Sequence, residues 1–306
     1  MRARHKNHAF AFALMLANAL AARANADEYV KTYSVGTHPE VRVLAGDCSV
    51  RVITSDTNQV EFRVRSEGVR AAIGVGGEVK VDSQQSGPVV ELTVKTTPSV
   101  MIGFNSRRLE AEVHMPADAD LQVDTHDGSV ELSAVRGNIA IHSKDGSIKA
   151  TQLSGRIELD TSDGSITAGS LKGEVRLHSR DGSIGADAMD GRLDASTGDG
   201  SIRAEGRFDA LDLKSGDGSV TARAARGSRM TSGWRVETGD GSVRVSVPSD
   251  LQANLDVSSR DGAVSVEMPV SVQGMQSKSV IRGTLNGGGP LLTVHSSDGS
   301  VRLDGI

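Results

Sequence analysis

The stretch GRIELDTSDGSITA, residues 155–168, decides the fold, because near-copies of it follow one another at fixed spacing. Asp-Gly-Ser followed by Val or Ile starts at Asp127, Asp145, Asp163, Asp181, Asp199 and Asp217, always eighteen residues apart. It returns at Asp240 and Asp298, with an Asp-Gly-Ala-Val variant at Asp261. Glycine keeps a finer rhythm of nine from Gly128 to Gly200, is replaced by Asp209, and resumes at Gly218 and Gly227. Each eighteen-residue unit therefore holds two halves, each a turn followed by a strand. After Asp163 the apolar positions are Ile166, Ala168, Leu171, Val175 and Leu177, alternating with polar ones within each half, which is the period of a half-buried strand. Asp-Gly marks the turns, glycine because it reaches positive φ and Asp because it bonds nearby backbone N–H groups. No window after residue 26 has a helical period.

Two architectures suit such strands: an antiparallel meander, and a β-solenoid in which each unit is one coil stacked on the next. Charge decides between them. Arg156, Glu174 and Arg192 share a repeat position and alternate in sign, while Glu158, Arg176 and Asp194, two residues later, alternate the opposite way. Stacked coils place equivalent positions about 4.8 Å apart and turn these into ladders of opposite charge; a meander puts them two strands apart. The expected fold is all-β, a single-chain β-solenoid of eighteen-residue coils with two strands per coil. The core columns agree: Ala150, Ala168, Ala186, Ala204 and Ala222 form one, and Ser143, Thr161, Ser179, Thr197 and Ser215 form a hydroxyl column just before the turn. Such a core is narrow, which accounts for aromatic residues making up only 3% of the chain.

The regular array spans 125–245. Residues 27–124 and 246–306 keep looser spacing and read as irregular coils and caps protecting the open ends. MPADADLQVDTHDGSV at 115–130 is echoed by VPSDLQANLDVSSRDGAV at 247–264. Asp47-Cys48-Ser49-Val50 reads as a degenerate turn with Cys in the glycine place. Residues 1–26 read as a cleaved signal peptide: Arg2, Arg4 and Lys6, an apolar run over 9–22, then Ala24-Asn25-Ala26 as the cleavage site. That run is shorter than the roughly 20 residues that span a bilayer. A periplasmic or secreted location follows, with no membrane span in the mature chain. Cys48 is the only cysteine, so no intramolecular disulfide forms. Asp47 between Leu44-Ala45-Gly46 and Cys48 argues against lipidation.

The xSxDGSIxA units, the MPxxxxLQV lead-in and the ending GTLNGGGPLLTVHSSDGSVRLDG (283–305) resemble the DUF4097 family of proposed adhesins over nearly the whole mature chain. The resemblance implies an exported β-solenoid of bacterial envelopes. The adhesin label rests on analogy of fold.

The repeat offers little chemistry. Asp127 to Asp217 would stack as a row of carboxylates, and calcium is the sharper reading of such a row. The row lacks the Gly-Gly-x-Gly-x-Asp phrase of calcium-binding rolls and supplies one carboxylate per coil where Ca²⁺ takes six to eight oxygens. A turn role is preferred. A polysaccharide-cleaving solenoid needs one specific carboxylate pair, and the regular array carries none. His38, His114, His126, His142, His178 and His295 form no cluster with metal-ligand spacing; His142 and His178 share a position two coils apart. Gly-x-Ser-x-Gly is absent, and Gly287-Gly288-Gly289 is not followed by Lys-Ser/Thr. Trp234, where the spacing stretches from eighteen to twenty-three, is read as a sugar-stacking platform on a bulged loop or as a local cap.

No catalytic, cofactor-binding or metal-binding residue is therefore assigned. The expectation is a non-enzymatic interaction module whose partner is a protein or an envelope or surface polysaccharide, with the 226–239 and 269–290 loops carrying specificity. The acidic balance, net charge −5, argues against nucleic acid. A calcium-binding repeat protein and a polysaccharide-active enzyme are the alternatives.

Overall fold

The computed structural model describes residues 28–67, 70–75, 79–96, 100–105, 108–272 and 277–306. The expected signal segment lies outside the described residues. Each eighteen-residue unit forms a short strand and a long one, as in Ile148–Thr151 followed by Ser154–Thr161. Both pair in parallel with their copies in the next unit, Ile148 opposite Ile166 and Leu159 opposite Leu177. Neighbouring strands thus carry residues eighteen apart in sequence. That register is a solenoid's and excludes a meander. In two units the short and long strands merge, giving Ile184–Thr197 and Ile202–Ser215. No helix occurs among the described residues.

The core is a set of stacked columns. Ile157, Leu159, Val175 and Leu177 are at most 2% exposed, and the alanine column from Ala150 to Ala222 at most 1%. Large side chains enter where the repeat is broken. Phe208 and Trp234 are both buried and meet edge to face, with ring centroids 6.2 Å apart. The strand bulges beside Phe208, and the Ser228 hydroxyl accepts from the Phe208 N–H (3.0 Å) and donates to the Ala225 carbonyl (2.7 Å). The five residues added to the spacing therefore make room for an aromatic pair. This corrects the platform reading of Trp234: it is core, on the strand Trp234–Thr238, within the interval expected to be a loop.

The turns differ from expectation in two respects. The Asp-Gly-Ser glycines do not have positive φ. They are glycines because the coils meet there: a Cβ on Gly182 would lie 2.0 Å from the Gly164 carbonyl oxygen. The second glycine column needs both freedoms, since Gly155 has φ +121 and its Cβ would lie 2.2 Å from the Gly137 carbonyl oxygen. Nor do the turn carboxylates bond the local N–H groups. At most of these turns that work falls to the buried hydroxyl three residues before the glycine. Ser179 accepts from the Gly182 N–H (2.9 Å) and donates to the Gly164 carbonyl of the preceding coil (3.0 Å). Thr161, Thr197, Ser215, Thr238 and Ser296 donate to the matching carbonyl, at 2.7–3.0 Å. Each Asp contributes its backbone instead, as in Asp181 N–H to the Ser162 carbonyl at 2.9 Å.

At both ends the stacking order departs from chain order. The coil of Glu40–Gly46 and Ser49–Ser55 lies between the first regular coil and the outer pair Val89–Thr96 and Arg108–Pro116. The coil of Leu291–Ser296 and Val301–Gly305 lies between Trp234–Thr238 with Val243–Val247 and Ala253–Ser259 with Val264–Glu267. The two echoing proline phrases are therefore double steps, in which the chain crosses one level and leaves room for an inserted coil. After each, a proline carbonyl of the inserted coil accepts the first strand's N–H: Asp120 to Pro39 and Asn254 to Pro290, both 3.0 Å. Antiparallel strands close the stack. Val79–Ser86 and Gln59–Glu67 lie outside at one end, joined by Tyr29 and Tyr33 hydroxyls on Ser83 Oγ (2.6 Å each), and Val280–Leu285 covers Ala253–Ser259 at the other.

Two substitutions test this packing. Ser179→Ala orphans a buried N–H and a buried carbonyl, so chemical denaturation should show a loss of roughly 2–4 kcal/mol. Gly182→Ala should cost more, because backbone must move. On the surface, Glu174→Arg should lower stability by a few tenths of a kcal/mol, with rescue by Arg156→Glu plus Arg192→Glu. A double-mutant cycle without coupling would contradict the stacked register.

Candidate interaction groove

The stack converts repeat positions into rows of polar side chains. Arg156 Nη2 lies 3.2 Å from Glu174 and Arg176 Nε 3.9 Å from Asp194, as the alternating charges predict. A second ladder, on the short-strand face, was not evident from the repeat because it crosses the inserted coil. Glu110, Arg51, Glu131 and Lys149 follow one another at 3.2, 3.6 and 3.0 Å. One row breaks the alternation: Asp212 follows Asp194. Burial pushes the Asp212 carboxyl up; Arg235 opposes the rise, while Asp194 and Glu237 add to it.

The turn carboxylates are exposed, and Arg180 bridges Asp163 (2.5 Å) and Asp181 (3.4 Å). Among the described residues no three His, Cys, Asp or Glu side chains gather where one ion would reach them. The histidines disperse. His38 pairs with Asp120 at 3.3 Å, His178 with the Ser196 hydroxyl at 2.9 Å, and His295 with the Ser258 hydroxyl at 3.0 Å. Between His142 and His178 the register inserts Asp160, and Asp124 precedes His142, so acid and imidazole alternate along this column.

A concavity lies where that column meets the turns. It is an open groove of about 740 Å³ beside the first coils. Its origin is local. The inserted coil turns in at Gly46, whose φ of +51 breaks the register between Asp124 and Thr125. The outer strand instead runs on to Thr96, whose hydroxyl donates to Asp47 Oδ2 at 3.0 Å. A wall is left standing above the regular turns. Leu44 (42% exposed), Lys95, His126, His142 and Lys144 line the space. Both carboxylates there are already engaged, Asp47 by Thr96 and Asp124 by Gln122 Nε2 at 2.9 Å. Lys95 has no ion-pair partner among the described residues. The groove thus offers one apolar ridge, hydroxyls, imidazoles and cationic side chains to a ligand. The groove itself is not legible in the sequence, because Leu44 and Lys95 sit in irregular coils; the exposed Leu44 on an otherwise alternating strand is the available signal.

Cys48 occupies the glycine place of the turn Asp47-Cys48-Ser49, as expected. A Cβ on Gly128 would lie 2.0 Å from the Cys48 carbonyl oxygen, so the glycine column ends here. In the outer pair the strands end at Thr96 and resume at Arg108, with no Asp-Gly-Ser between them in the sequence, and the Cys48 side chain is buried. The thiol is fully buried, and burial, helped by Glu110 and opposed by the Ala111 backbone, pushes it up to about 12.

The Toastrack DUF4097 family model matches residues 43–304. Among solved structures, a proposed adhesin from Parabacteroides merdae is 13% identical with a TM-score of 0.50, covering 92% of this chain and 97% of its own. A proposed adhesin from Bacteroides fragilis is 9% identical with a TM-score of 0.37, covering 92% and 97%. A proposed cell adhesion protein from Clostridium sporogenes is 10% identical with a TM-score of 0.24, covering 92% and 99%. No curated protein matches in sequence. The first of these likenesses speaks to fold alone.

The Cys48 thiol should resist alkylation in the native protein at pH 8 and react on unfolding. Its sign with pH is definite. The unfolded thiol ionises above its ordinary 9.0 while the folded one holds its proton to about 12, so the folded state binds more protons in that window and stability falls as pH rises. From pH 9 to 11 the wild type should lose about 2 kcal/mol more than Cys48→Ala, measured by denaturation at each pH.

Proposed function

The chain belongs to the Toastrack DUF4097 family, and from that premise we propose that it is an exported, non-catalytic interaction module that binds an envelope or surface polysaccharide. The single observation that carries the reading is the groove beside Leu44, Lys95 and His142, a concavity set against the stapled stack. Its side chains suit an extended polyhydroxylated chain: Leu44 packs against a sugar face, and the Thr and Ser hydroxyls and imidazoles exchange hydrogen bonds with ring hydroxyls. Lys95 and Lys144 favour a polymer that carries acidic groups. The parallel register supports this by holding the groove's residues on adjacent strands at fixed spacing. Export follows from the signal-like residues 1–26. A non-catalytic role is in keeping with turn carboxylates repeated uniformly from coil to coil, since glycoside hydrolysis uses one specific pair.

The test joins location with binding. Protease shaving and antibody labelling of intact cells, and of cells with the outer membrane opened, test an envelope location; labelling in neither, with no protein in the culture medium, would remove export. Purified protein should be retained on polysaccharide isolated from the same envelope. Leu44→Asp and Lys95→Glu, both exposed changes, should weaken retention at least tenfold with unfolding midpoints unchanged. Equal retention of the variants, or none by the wild type, would overturn the assignment of the groove.

A further inference from the structure

We propose that the inserted coil 291–305 is exchangeable: the slot it fills accepts the same segment from a second copy of this chain, giving a coil-swapped dimer. The slot is bounded on both sides by parallel strands. Leu292 lies opposite Trp234 on one side and Leu255 on the other; Val301 lies opposite Val243 and Val264. Leu292, Val294, Val301 and Leu303 are at most 1% exposed, so the segment supplies the core of its level. The hydroxyl staples pass through it too. Ser296 Oγ donates to the Gly241 carbonyl and Ser259 Oγ to the Gly299 carbonyl, each at 2.8 Å. Without this segment the coil 253–267 would have no parallel neighbour towards the array.

The segment reaches the slot through a hinge. After Val280–Leu285, which lies antiparallel outside Ala253–Ser259, the chain must cross the start of that strand to enter on its inner side. It does so over 286–290, Asn-Gly-Gly-Gly-Pro, with Asn286, Gly287 and Gly288 at φ +49, +90 and +88. Three consecutive positive-φ residues make a reversal that few sequences adopt, and the same glycines readily take an extended path. This gives the LNGGGPLL motif a mechanical role. The closed form is held by side-chain amides: Asn286 Nδ2 donates to the Ser249 and Leu251 carbonyls (2.9 and 2.8 Å), and Asn254 Nδ2 to the Gly289 carbonyl (2.6 Å). In a swapped pair every contact inside the slot is the same, and only these hinge bonds and the concentration of the partner change. Two grooves on one particle would then engage a repetitive polymer together.

The test uses two single-cysteine variants of the full chain in a Cys48→Ala background. Arg235 and Thr293 are strand partners across the slot wall, the first exposed and the second half-buried. Arg235→Cys and Thr293→Cys are placed in one chain as a control, and in separate chains that are mixed, warmed below the unfolding midpoint, cooled and treated with a short bis-maleimide. The double variant should cross-link within its chain. The mixture should give covalent dimer at least tenfold above either single variant treated alone, rising with concentration. Internal cross-linking of the double variant with no excess dimer in the mixture would overturn exchange. Failure of the double variant to link internally would overturn the slot itself.

Discussion

One hydrogen-bonded arrangement governs the molecule: a buried Ser or Thr hydroxyl at the Asp-Gly turns that donates to a turn carbonyl of the neighbouring coil and, at most of these turns, also accepts from the turn glycine of its own coil. Ser179 between Gly182 and Gly164 is the clearest case. A turn is where a solenoid must leave backbone groups without a strand partner, and inside a protein such groups cost more than a bond gains. The hydroxyl satisfies one donor and one acceptor together and ties adjacent coils. It requires the coils to be close enough that no Cβ fits at the glycine, and this fixes the sequence Ser/Thr-x-x-Gly at the levels with an Asp-Gly turn.

The rest follows from that close stacking. Coils repeated in register leave a thin interior in which each column holds one size of side chain, so alanine and β-branched or leucine columns suffice. Phe208 and Trp234 enter only beside a bulge and a lengthened connection. The ends must be different, because an outermost coil exposes an edge that recruits other strands. This chain closes them by inserting one coil out of order at each end and laying antiparallel strands outside. The groove is a by-product of the same device, since it forms where the inserted coil turns in at Gly46 and its outer neighbour runs on to Thr96.

The solenoid, its eighteen-residue coil, the alanine and hydroxyl columns and the Arg156–Glu174 pairing were legible in the sequence because they repeat, and repetition reports neighbours in space. What does not repeat was not legible. The glycine requirement was read as one of φ, whereas Gly182 is excluded from bearing a Cβ by the Gly164 carbonyl, a constraint visible only once coils are stacked. The turn Asp was given the hydroxyl's work. Trp234 reads from the sequence as either an outward platform or a local cap, and only the stacked coils show it paired with Phe208 inside. The echo between 115–130 and 247–264 was noticed without its meaning, a double step, since the coil it accommodates comes from a distant part of the chain. The groove residues Leu44 and Lys95 belong to such a displaced level, so no local pattern brought them together with His142.

Amide hydrogen exchange of the native protein, resolved by residue across 143–218, tests the central claim most directly. The stapled turn predicts that the Gly146, Gly182 and Gly218 amides exchange as slowly as those of the flanking strands and open with them as one unit. Turn amides that exchange freely while the strands stay protected would contradict it, and would leave the coils held by their strands alone.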